Sequence, residues 1–142
     1  MNVLFLPLLV IHVVVAVLGL GSLLSIAVVA STARRAGRES ADVATWLRTL
    51  LRGSAVSLAI MLATGLLMDV VRGGALHAWW WFRASVFLLL ATGALHARAR
   101  RLVREGLVRG RSEAVLGRVE RIAYGMCVLV AAITVLMEAK PF

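Results

Sequence analysis

The stretch Val3 to Ala30, VLFLPLLVIHVVVAVLGLGSLLSIAVVA, decides the solvent in which this chain folds. From Val3 to Val29 it carries no charged side chain, and its only polar groups are His12, Ser22 and Ser25. A run of about 18 or more apolar residues is long enough to cross a bilayer as a helix, so the stretch reads as a membrane span. A secretory signal peptide would need positive charge ahead of a shorter apolar core, followed by a small-residue cleavage site. Here the first basic residue is Arg34, which favours a retained segment.

Working outward, three more apolar runs follow. The second covers about residues 50–71, after a polar stretch from Ser31 to Asp42 that reads as a loop and holds Arg34, Arg35, Arg38 and Glu39. Arg48 and Arg52 lie in its first turns, where long side chains can snorkel to the interface. Ser54, Ser57, Met61, Thr64 and Met68 recur at intervals of three and four, the pattern of a packing seam. A short turn at 72–77 contains Gly73 and Gly74 and leads into Trp79, Trp80, Trp81 and Phe82, a cluster that reads as interfacial anchors.

The third run covers about residues 79–97, with Ser85, Thr92 and His96 on one face, and ends in Arg98, Arg100, Arg101 and Arg104. The segment from Arg98 to Arg121 keeps some helical periodicity and reads as a helical extension that turns into the fourth run, about 120–138. There Tyr124, Cys127, Ala131, Thr134 and Glu138 share a face. The expectation is one all-α domain over residues 1–142, an integral membrane four-helix bundle with up-and-down topology and no repeat or linker.

Composition agrees, with 61% hydrophobic residues and a mean hydropathy of +0.93. The formal charge of +9 does not point to nucleic acid, because the Arg residues flank apolar runs rather than forming an aromatic-interleaved patch. They favour anionic lipid head groups instead. Of the sixteen Lys and Arg residues, all but Arg72, Arg83 and Lys140 fall in or beside the first and third connections. The positive-inside tendency then puts those connections in the cytoplasm and both termini outside an inner membrane. The single cysteine, Cys127, reads as a buried thiol, and nucleophile triads, phosphate loops and zinc-protease motifs are absent, which argues against a hydrolase.

His12 is the most unusual residue of the first span. Ionisable groups in the hydrocarbon region are costly and usually face the bundle interior. On a helix His12 shares a face with Ala16, Gly19 and Ser22 or Leu23, small enough for a partner helix or a flat ligand to approach. At about 1.5 Å per residue it lies about 7 Å from the Trp-rich end, against about 22 Å for His96. Two such levels disfavour the pair as opposite ligands of one haem. His96, beside the Arg run, reads as a snorkelling side chain, whereas His77 in the turn is placed to fold back towards His12.

Met68, Met137, Arg72 and Arg83 also fall near this end, with Asp69 and Glu138. Imidazole with thioether is a ligand set for haem or a soft metal, and Arg suits the carboxylates of a porphyrin. The candidate site is therefore His12, His77, Met68, Met137, Arg72 and Arg83, for a tetrapyrrole or a copper ion, with His12 as the metal ligand. The alternatives are a His12 hydrogen bond to a Ser or Thr of a neighbouring helix, methionines that only fill space, arginines that pair with Asp69 or Glu138, and a non-catalytic bundle that forms homo-oligomers through its seams.

The His on helix one with its small-residue face, the Trp-flanked cation at Arg83, the His96 and Arg-rich end of the third run and the terminal Lys140-Pro141-Phe142 together resemble the HemJ-type protoporphyrinogen oxidases. CopD-like copper-resistance domains are more distantly similar. The resemblance implies a b-type haem and oxidation of protoporphyrinogen IX, or copper handling in the CopD-like case, with His12 as the helix-one ligand and Arg83 where the family usually has Lys. Val119-Glu120-Arg121-Ile122 stands where the family has Asn-Glu-x-Pro, and Gly19 lies in the region of the family's aromatic residue.

Overall fold

In the computed structural model, residues 3–37, 41–106 and 112–139 are described. They form four α-helices and no strand: α1 (Phe5–Arg35), α2 (Ala41–Val71), α3 (Trp80–Gly106) and α4 (Ser112–Glu138). Arg38, Glu39, Arg109, Arg111 and the terminal Lys140, Pro141 and Phe142 lie outside the described residues. Each helix packs on two neighbours in the ring α1, α2, α3, α4, and the α2–α3 contact is the sparsest. His12 lies against Thr64 and Gly19 against Ser57, Ser54 meets His96 and Arg34 meets Glu120, contacts that set neighbouring helices antiparallel and give the bundle a tryptophan end and an arginine end.

All four helices carry a seam at alternating intervals of three and four, the spacing that keeps one stripe facing a neighbour along a bundle. On α1 the stripe is Phe5, Leu9, His12, Ala16, Gly19, Leu23, Ile26, Ala30 and Ala33, and it is buried from Gly19 onward. On α2 Leu47, Leu51, Ser54, Met61, Thr64 and Met68 are buried, so the second-run seam is where the spacing put it. Ser85, Thr92 and His96 of α3 are also buried together. On α4 the buried stripe is Leu116, Val119, Ala123, Met126, Val130 and Ile133. The face holding Tyr124, Ala131, Thr134 and Glu138 points outward instead.

The helices outlast the apolar runs. The expected loop at 31–42 is helical through Arg35 and again from Ala41, because Arg is a good helix former and Arg34 and Arg35 suit the negative end of α1. Three helices, α1, α2 and α4, are long and apolar enough to cross a membrane. The third apolar run falls short, since only 14 uncharged residues separate Arg83 from Arg98. The exterior is apolar all the same, with Phe87 71% and Val128 68% exposed.

Packing is uneven along the bundle. The continuous core joins Leu23, Ile26, Ala27 and Ala30 to Leu47, Leu51, Val103, Val119 and Met126, all in the half nearer the arginine end. Gly19 lets α1 approach α2 closely, since a Cβ there would stand 3.2 Å from Ser57 Cβ. Beyond Gly19 the seams part, and the tryptophan-end half encloses space.

Candidate functional site

A cavity of about 400 Å³ occupies that open half. Every helix contributes to its lining: Phe5, Leu9 and His12 from α1, Gly65 and Met68 from α2, Trp81 and Phe82 from α3 and Met137 from α4, with Arg72, Leu76 and Trp79 at the turn. The wall is almost wholly aliphatic, aromatic and thioether. Its polar edges are His12 and Arg72.

The hydrogen bonding of His12 defines its chemistry. Its Nδ1 lies 2.7 Å from Thr64 Oγ1 across the α1–α2 contact. The single proton of that hydroxyl is donated to Ile60 O at 2.7 Å, with Met61 O at 3.2 Å, one turn back on α2. With the hydroxyl proton on that carbonyl, Thr64 accepts from the imidazole, the tautomer that carries its proton on Nδ1 and fits the 2.7 Å contact. In that tautomer Nε2 has the lone pair, in a half-buried side chain that lines the cavity. A hydrogen bond at one ring nitrogen that orients the other is the arrangement found behind metal-binding histidines. The ring edge passes over Gly65, where a Cβ would stand 3.6 Å from His12 Cε1.

A smaller hollow of about 30 Å³ continues inward from His12 and is lined by Met61, Phe82, Ser85, Ile133 and Met137 among others. Ser85 is only 3% exposed, and its Oγ has no hydrogen-bond partner among the described residues. Buried hydroxyls are nearly always satisfied, so an orphan bordering the cavity marks a position where a polar ligand atom or water would be held.

At the mouth, the Arg72 guanidinium lies 4.7 Å from the centroid of the Phe5 ring, a cation–π contact that leaves its N–H groups without a carboxylate among the described residues. The nearby acid is committed elsewhere. Asp69 Oδ1 accepts from the backbone N–H groups of Leu76 (2.8 Å) and His77 (3.1 Å), and its Oδ2 lies 3.1 Å from His77 Nδ1. Gly73 and Gly74, at φ 69° and 78°, let the chain reverse in the left-handed region, and Gly74 N–H bonds back to Asp69 O at 2.9 Å. Asp69 is thus the clamp of the turn.

Of the six expected site residues, the structure brings together His12, Met68, Arg72 and Met137. His77 does not fold back towards His12, because Asp69 holds it at the turn with its side chain 67% exposed. Arg83 is exposed and outside the cavity lining. Neither arginine pairs with Asp69 or Glu138. The three clustered Trp residues at 79–81 also divide: Trp79 and Trp80 are exposed, while Trp81 is buried and meets Phe82 edge to face at 6.0 Å. His96 is not a snorkelling group. It is 4% exposed, and its Nε2 lies 2.9 Å from Ser54 Oγ.

The His12–Thr64 contact is the bond to a hydroxyl of a neighbouring helix that the sequence offers as the alternative to ligation, though not which hydroxyl, and Phe5, Leu9, Gly65 and Ser85 lack a chemical signal. Extending the His12 register backwards by three and four would have found Phe5 and Leu9. Among the described residues no three His, Cys, Asp or Glu side chains gather, so any metal bound here relies on His12 with thioethers. No known protein family matches the chain, and no characterised protein or solved structure shows significant similarity to it.

Proposed function

We propose that the protein is a four-span inner-membrane protein whose tryptophan-end cavity binds a tetrapyrrole, with haem b as the preferred ligand. The observation that carries this reading is the contact of His12 Nδ1 with Thr64 Oγ1 in the wall of an apolar slot, which in the Nδ1–H tautomer leaves an Nε2 lone pair for a ligand. The donor set fits the group. His12 would hold the iron, Met68 or Met137 would supply a thioether, and Arg72 at the mouth would pair with the propionate carboxylates. Haem bound there would supply one-electron redox chemistry, while the chain orients the macrocycle and keeps water from it.

The likeness to HemJ-type proteins extends the proposal to oxidation of protoporphyrinogen, with the oxidoreductase activity resting on that likeness alone. In the bilayer α3 would cross between its neighbours with Arg83 and Arg98 snorkelling at its two ends, which a stretch of 14 uncharged residues requires. The arginine end would face the cytoplasm and both termini the outside.

Copper is the second reading. The same cavity presents one imidazole and two thioethers from three helices, a soft set suited to Cu(I). The test is the visible spectrum of protein purified from haem-replete cells, oxidised and then reduced with dithionite, beside its copper content. A Soret band that shifts on reduction is the expected result. A colourless protein with stoichiometric copper favours the second reading, and the absence of both overturns the site.

A further inference from the structure

The arginine end holds a second cavity, of about 640 Å³, where α2 and α3 meet most sparsely. Arg48 and Arg52 of α2 face Arg100, Arg101 and Arg104 of α3 across it, over a floor that includes Leu51 and Val103, each 1% exposed. Like charges at a spacing of four repel along one helix, and here two such rows are set opposite each other. Among the described residues the only ion pair any of the five makes is Arg104 with Glu105, at 3.6 Å and with both side chains exposed.

The neighbouring seam at the same end is built differently. There Arg34 of α1 meets Glu120 of α4 at 2.9 Å, with the carboxylate 13% exposed. The fold thus supplies its own counter-charge at the α1–α4 seam and, among the described residues, none inside the α2–α3 cleft. A guanidinium fork matches phosphate oxygens in pairs, so two facing rows suit an anion with more than one phosphate. Trp46, 65% exposed two residues before Arg48, puts the cleft at the level where interfacial aromatics and lipid head groups meet.

We propose that the α2–α3 cleft binds the headgroup of a diphosphatidylglycerol-type phospholipid, its two phosphates lying between the arginine rows and its acyl chains running along the apolar exterior above them. This rests on the membrane-spanning part of the proposed function and is independent of the tetrapyrrole. The experiment is native mass spectrometry of the delipidated, detergent-purified protein offered equal amounts of diphosphatidylglycerol and phosphatidylcholine. Compared with it are the cleft variant Arg52→Gln/Arg100→Gln and the charge-matched control Arg118→Gln/Arg121→Gln on exposed positions of α4.

The wild type and the control should retain one diphosphatidylglycerol with a preference of about tenfold or more over phosphatidylcholine, and the cleft variant should lose that preference. Three results overturn the proposal: no headgroup preference, an equal loss in the control, or displacement of the lipid by inorganic pyrophosphate at comparable concentration. The last would make the site one for a soluble phosphate anion. Release of the protein from native membranes by alkaline carbonate would instead overturn the spanning reading, and is scored separately.

Discussion

At the scale of single residues, His12 and Thr64 carry the account. A histidine in an uncharged run stands out by its chemistry alone, which is why its inward position could be read from its small-residue face. Its partner could not, because a seam of small and soft residues offers several hydroxyls at similar depth, and only the close α1–α2 approach at Gly19 selects Thr64. His96 departs from the snorkelling expectation for a related reason. Adjacency to Arg98 fixes its depth, whereas burial is set by its radial position on the seam. Thr64→Val keeps the shape and removes the hydroxyl that meets His12 Nδ1. Ligand affinity, measured by haem titration, should fall about 10- to 100-fold with the helical circular dichroism unchanged. An unaltered affinity would separate the tautomer from binding.

At the scale of elements, α2 links the bundle through two imidazole–hydroxyl bonds, His12 to Thr64 on the α1 side and Ser54 to His96 on the α3 side. Ten residues of α2 separate the two hydroxyls, about 15 Å along the helix, so only His12 reaches the cavity. His96→Leu leaves the buried Ser54 Oγ only its 3.4 Å bond to Leu51 O and should cost about 0.5–1.5 kcal/mol in thermal or denaturant unfolding in detergent. The ligand spectrum should stay as in the wild type, the opposite of substitutions at His12. Seams on α2 and α3 follow from intervals of three and four, but on α4 the buried stripe is not the face of Tyr124 and Thr134 that the spacing suggests. In a chain whose exterior is apolar, the contrast between buried and exposed faces disappears, and spacing alone fits more than one stripe. The helical extension expected after Arg98 is present in α3 to Gly106 and in α4 from Ser112, whereas the expected loop at 31–42 is shortened because Arg residues carry the helix beyond the apolar run.

At the scale of the whole molecule, the bundle divides into a packed arginine-end half and an open tryptophan-end half. The number and order of the helices follow from the apolar runs and the glycine turn. The cavity does not, since it arises where four seams separate, and no residue in one seam records the distance to the next. Gly65→Val should fill part of the slot beside His12 and abolish ligand binding while leaving the thermal midpoint equal or higher. A drop in stability would mean that the cavity is not the free space described. The orientation belongs to this scale as well. A reporter enzyme active only outside the cytoplasm should be active when fused after residue 139 and inactive when inserted at residue 37, and the reverse pattern would invert the bundle.

The central claim is that the Nε2 lone pair of His12 faces a ligand in the cavity. It is tested most directly by the oxidised and reduced visible spectra of His12→Gly, recorded before and after adding imidazole. The wild type should show a reducible haem spectrum, the variant should lose it, and free imidazole occupying the vacated ring position should restore it. A His12→Gly spectrum identical to that of the wild type, or a wild type that remains colourless after haem-replete expression, would contradict the account.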